Sequence, residues 1–213
     1  MKLKKIASLA LAGIMAVSML AGCKDNPSSS SEPTTPPETV TGAAAAINAE
    51  LDEIKDIVSF TDGTDVQGLL DTYFTNNNID PAVAKSAGTA VVYSSGANNG
   101  LNTDVAGYIQ NALNLTTTNQ FTNATNSVTA DTGKDISNVN VYVLNGEKLT
   151  EAAALKLVGQ YLDELDLPED DGNANSVYYQ YKGSVAMVNA KTKGETESVW
   201  VIAVVIDRTA ESR

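Results

Sequence analysis

Two stretches of the chain gather groups that chemistry can use. Ser94-Ser95-Gly96-Ala97-Asn98-Asn99-Gly100 follows a short apolar segment and leads into an amphipathic one, and Asp163, Asp166, Glu169, Asp170 and Asp171 crowd together later. The first stretch offers uncharged hydroxyl and amide groups suited to a neutral polar ligand such as a sugar. Ser94, Ser95, Asn98 and Asn99 are therefore the candidate ligand-binding residues, on a loop that runs to Thr103 and also carries Asn102. A strand, a glycine-containing loop and a helix in that order also place backbone N–H groups around an anion. However, Gly96 and Gly100 match neither G-x-G-x-x-G nor the Walker spacing, and the loop has no lysine. A nucleophile elbow at Ser94 fails as well, because Val92 stands where its leading glycine belongs.

The later carboxylates raise the question of glycoside hydrolysis, which needs two acids set across a groove. Acids crowded at a helix end and in the loop after it read instead as a solvated surface. Asp171-Gly172-Asn173-Ala174-Asn175 begins like a calcium loop, with oxygens at alternate positions. Ser176 then replaces the turn glycine and Lys182 stands in the place of the bidentate glutamate, so no metal site is expected. Asp131, Asp135 and Asn138 form a looser cluster, and no specific metal is expected there either. The chain has no histidine, which removes the Ser-His-Asp triad, the Cys-His dyad and the His-based zinc motifs. No Ser-x-x-Lys occurs either. The sequence is that of a non-catalytic protein without a cofactor, a carboxylate-dependent glycan hydrolase being the alternative.

Aromatic residues give one more candidate. Tyr178, Tyr179 and Tyr181 share a strand and Trp200 lies on its expected partner. Alternation sends Tyr179 and Tyr181 to one face and Tyr178 to the other. Exposed, such rings would suit sugar stacking; core packing is the favoured expectation.

The protein's one cysteine decides where this chemistry would operate. Lys2, Lys4 and Lys5 precede a mainly apolar run from Ile6 to Leu20, too short for an ordinary membrane span, and the run closes on Leu20-Ala21-Gly22-Cys23. These four residues resemble the lipobox of bacterial lipoproteins. The resemblance implies that residues 1–22 are a signal peptide, that a diacylglycerol is joined to the Cys23 thiol, and that the chain is cut before it. The mature protein would then be a lipid-anchored protein on the outer face of the cell membrane, with a cell-wall glycan or an envelope protein as partner. Losing three lysines with the leader takes the net charge from −12 to −15. Such a surface repels nucleic acid, so none is expected as a partner.

These candidates need elements to hold them. Residues 23–41, with a serine run at Ser28 to Ser31 and prolines at 27, 33, 36 and 37, read as a disordered tether. About 170 residues remain, residues 42–213, enough for one domain that buries roughly 70% of its unfolded surface. Ile47, Leu51, Ile54 and Val58 predict one helix, and Val66 to Phe74 a second, with Thr64 or Asp65 as its cap. Asp80-Pro81 starts a third. Residues 89–93 are β-branched and aromatic and predict a buried strand; a helix capped near Thr103 follows. Leu115 to Asn138 reads as a surface excursion. Val139 to Leu144 alternates as a strand, Asn145-Gly146 turns, and Thr150 caps a helix reaching about Leu165. Residues 176–190 and 197–207 predict a long hairpin with a bulge or bend at Gly183, and Val199 to Ile206 a central strand covered on both faces. The expected fold is α+β: a mostly antiparallel sheet ending in a C-terminal hairpin, with several helices packed on it. An exposed, unpaired sheet edge would favour a structural or pilin-like accessory role.

Overall fold

The computed structural model describes residues 38–39 (backbone only), 42–92, 100–115, 135–171, 177–192, 194 and 197–212. Cys23, Ser94, Ser95, Asn98, Asn99, the calcium-like run after Asp171 and Asp131 lie outside them.

The C-terminal hairpin forms and the rest of the domain is built on it. β4 (Val177–Lys191) and β5 (Ser198–Ser212) pair antiparallel without interruption, from Val177 opposite Ser212 to Lys191 opposite Ser198. β3 (Ile136–Asn145) pairs antiparallel with the other side of β5, which makes β5 central. Alternation then sorts β5 between two cores. Trp200, Ile202, Val204 and Ile206 face α1 (Ala43–Asn48) and α5 (Glu151–Asp163). Val199, Val201, Ala203 and Val205 face α2 (Thr64–Asn76), α3 (Pro81–Ser86) and α4 (Leu101–Ala112). A run apolar on both faces is stable only between two such layers. The protein is an α+β domain with helices on both sides of its sheet.

The sheet is mixed rather than purely antiparallel. β1 (Glu38–Thr39) pairs antiparallel with Val188 and Asn189 of β4, whereas β2 (Phe60–Asp62) runs parallel to Gly183–Val185. Both lie along the outer edge of β4. Between them the Gln67 side chain acts as a piece of strand: its Oε1 accepts from Met187 N at 3.1 Å and its Nε2 donates to Met187 O at 3.2 Å. Isolated bridges from Ile79 to Thr192 and from Asp170 to Tyr178 cover the two ends. A bare edge of this length would invite another chain; this one is paired along its length by five short contributors.

Gly183 has a role different from the expected bulge. The register runs through it unbroken, opposite Ile206. A β-carbon there would run into the Phe60 ring, so the glycine makes room for that ring to lie on the strand.

Several expected elements change where tertiary contacts offer backbone groups a better partner. The first helix stops at Asn48, not Val58. The N–H groups of Asp52, Glu53 and Ile54, which a continuing helix would use internally, all donate to Asp163 Oδ1. Asn48 also turns the chain back by exchanging two hydrogen bonds with the Phe60 backbone, at 2.8 and 2.9 Å. Leu51, Ile54 and Val58 are nevertheless buried.

No strand forms over residues 89–92. Thr89, Ala90 and Val92 are exposed, Val92 at 55%, and only Val91 packs inward. One inward side chain buries too little to hold a strand, and the nearby edge backbone at Asn145 N is already donated to Gly88 O. Two caps shift as well: α2 starts after Gly63 without a side-chain cap, and α4 after Gly100, whose φ of 85° favours glycine. Asp80 and Thr150 do cap α3 and α5, accepting from Ala82 N and Ala153 N.

Candidate functional site

Of the loop expected to bind a ligand, the described part is its far end, where α4 begins. Asn102 and Thr103 stand in the first turn of that helix, Asn102 buried and Thr103 exposed. With Ala106, Gly107 and Gln110, one and two turns on, they line a cleft whose floor is Val139 and Val141 of β3. Its volume is about 110 Å³. Helical spacing places Thr103, Gly107 and Gln110 on one side of α4, and a β-carbon at Gly107 would meet nothing within 4 Å, so that position faces open space. The lining combines a hydroxyl and two amides with an apolar floor and contains no charge. It can hold a small neutral polar group. Residues 89–92 ahead of it form no strand, unlike the strand–loop–helix order expected there.

Asp163 is used by the backbone of residues 52–54, and Glu169 and Asp170 lie on the stretch that lines the end of β4, Tyr179 N donating to Glu169 O. Asp135 Oδ1 accepts from Ala210 N at 2.8 Å, and Asn138 is buried in β3. Among the described residues no group of three or more acids could hold a metal ion.

Tyr179, Tyr181 and Trp200 are core residues, as core packing would have them, so they form no sugar platform. Tyr179 and Tyr181 flank Arg208, a guanidinium only 1% exposed and stacked 4.2 Å above the Tyr179 ring centroid. The Tyr181 hydroxyl donates to Pro168 O at 2.8 Å. Burial pushes that phenol up to about 12, although the charge of Arg208 and its hydrogen bond to Tyr181 pull the other way. A buried cation costs several kcal/mol unless such partners surround it.

Two aromatic residues not singled out in the sequence as candidates meet at the surface. Tyr73 of α2 and Tyr108 of α4 are half-buried, their ring centroids 5.3 Å apart and tilted by 60°. Burial raises the Tyr73 pKa, and the charge of Asp104 adds to it. Their signal in the sequence was helical spacing alone, which marks a core stripe equally well.

Among the described residues no helix is long and apolar enough to cross a membrane. No protein-family model, no curated protein and no solved structure matches this chain.

Proposed function

We propose that this chain is a lipid-anchored protein of the outer membrane face whose folded part is a non-catalytic binding domain for an uncharged polar ligand or partner at the cell surface. The observation that carries the anchoring is the order of residues 2–23: three lysines, a short apolar run, then Leu20-Ala21-Gly22-Cys23. The stretch rich in serine, proline and threonine that follows is the composition a spacer needs. The cleft of Asn102, Thr103 and Gln110 supports the choice of ligand, because amides and hydroxyls satisfy a neutral hydroxylated molecule without the desolvation penalty of a charge.

The test of anchoring is the full chain expressed in a bacterium beside its Cys23→Ser variant. The wild type should be processed at Cys23, enter the detergent phase, and carry acyl mass on its N-terminal peptide. The variant should accumulate as an unprocessed precursor, since the thiol is the acyl acceptor. Identical processing and partition of the two proteins would end the lipoprotein reading.

A further inference from the structure

The two ends of the β4–β5 hairpin differ in charge and in where the chain enters. β1 pairs antiparallel with β4, Glu38 opposite Asn189 and Thr39 opposite Val188, so β1 is entered from the Lys191 end, where the hairpin turns. At this turn end Lys85, Lys148 and Lys191 are exposed beside Asp80, Glu147, Glu151 and the half-buried Glu197, a near balance of charge among the described residues. Tertiary contacts bring them there. Ile79 bridges to Thr192, the Asn145 amide donates to Ala84 O and Ala87 O, Ser198 donates to Glu147, and Trp200 donates to Leu149 O. The open half, where β4 begins and β5 ends, carries Asp135, Glu169, Asp170, Asp171, Asp207 and Glu211 against Lys182 and the buried Arg208. Asp135 accepts from Ala210 N, Asp170 bridges to Tyr178, and Asp207 and Glu211 stand opposite Lys182 and Tyr178. The 15 residues of β4 hold the two ends about 45 Å apart.

We propose that the turn end of the hairpin faces the lipid bilayer and the acidic open end points away from it. The inference rests on the reading of Cys23 as a lipid anchor and adds an orientation to it. Residues 24–37, between the anchor and β1, have a root-mean-square reach of about 20 Å as a flexible chain. That is less than half the length of the hairpin. The tether therefore keeps the turn end near the headgroups and leaves the open end free to swing. Charge then selects the pose. Screening confines exposed charges to about 8 Å at physiological salt, so an anionic leaflet senses only the end that lies against it. Lying flat or inverted brings the acidic half to the leaflet and is repelled. Standing on the turn end avoids that and lets Lys85, Lys148 and Lys191 meet lipid phosphates. Val139 and Val141, the floor of the α4 cleft, stand opposite Val205 and Ala203, which pair with Ser184 and Ala186. The cleft is thus about 20 Å from the turn end along the strands, clear of the headgroups.

The test couples the mature chain through the Cys23 thiol to a maleimide lipid in vesicles and reads energy transfer from tryptophan to a dansyl lipid. Trp200 lies opposite Asn189, so the natural chain carries its donor near the turn end. A Trp200→Phe, Tyr178→Trp double variant carries it at the open end, and circular dichroism establishes that this variant is folded. On phosphatidylcholine vesicles containing phosphatidylglycerol, transfer should be several-fold faster from the natural donor. The difference should shrink on phosphatidylcholine alone and in about 1 M salt, where screening shortens to about 3 Å. A second readout needs no variant. With a membrane-impermeant acylating reagent, Lys85, Lys148 and Lys191 should react several-fold more slowly on vesicles than in solution, and Lys182 at an unchanged rate. Equal transfer from the two donors, faster transfer from the open end, or uniform slowing of all four lysines overturns the orientation. A contrast that ignores lipid charge and salt overturns the charge argument. The coupling is chemical, so these results do not depend on whether a cell acylates Cys23, which the Cys23→Ser experiment decides.

Discussion

Asp163 Oδ1 lies 2.7 Å from the backbone nitrogen of Glu53, a residue 110 positions earlier in the chain. The same oxygen accepts from Asp52 N at 2.8 Å and Ile54 N at 3.3 Å. One carboxylate at the end of α5 thus satisfies three successive donors and fixes the turns after α1. Charged acceptors of backbone N–H groups are among the stronger hydrogen-bonding partners. Replacing Asp163 with Ala is expected to cost about 1–3 kcal/mol, because the donors lose their acceptor. Urea unfolding gives the stability, and hydrogen exchange should locate the loss at residues 52–54. Unchanged exchange there would show that the carboxylate does not hold the turn.

Gly183 and Phe60 form a second long-range pair. Gly183→Ala would press a methyl group into the Phe60 ring and is expected to destabilise the domain by about 1–3 kcal/mol. Phe60→Leu in the same molecule should recover part of that loss by removing the ring. A double-mutant cycle measures the coupling. Strictly additive costs would mean that the ring does not lie on the glycine.

Tyr181 makes stability depend on alkaline pH. Its pKa is pushed up to about 12 by burial, against an unfolded value of about 10. Below pH 10 both states hold the proton and the contribution is fully present. Between about pH 10 and 12 the unfolded state ionises first, so stability falls as pH rises. Thermal midpoints measured from pH 8 to 12 should drop less steeply in Tyr181→Phe than in the wild type. Equal slopes would remove Tyr181 as the cause.

Trp200 is the protein's one tryptophan and is 8% exposed, with its Nε1–H donated to Leu149 O at 2.8 Å. Native emission should be blue-shifted and poorly quenched by iodide, and should shift red on unfolding. Trp200→Ala is expected to cost roughly 3–5 kcal/mol, since the ring packs between α5 and the sheet. Ready quenching in the native protein would contradict that placement.

The central strand, its long hairpin partner and the helix capped by Thr150 were legible in the sequence because each is set by local pattern. Val199 to Ile206 is apolar at both parities and Thr150 stands one residue before a clean helical stripe. The burial of Trp200 followed from the first of these. The site was legible only at its rim: Asn102 and Thr103 belong to the expected loop, whereas Gln110 and the floor of Val139 and Val141 depend on how α4 packs on β3.

What the sequence alone determined is the alternation that places β5 between two cores, the absence of histidine chemistry, and the lipobox-like ending at Cys23 that motivates the proposed anchor. Tertiary structure decided where backbone donors find acceptors. Residues 49–58 carry a helical stripe yet leave the helix, because Asp163 and Phe60 bring it partners from far along the chain. Residues 89–92 carry strand-forming side chains yet stay out of the sheet, where only Val91 reaches a core. Local pattern records which faces are apolar. The competition for each N–H and carbonyl is settled only when segments a hundred residues apart meet.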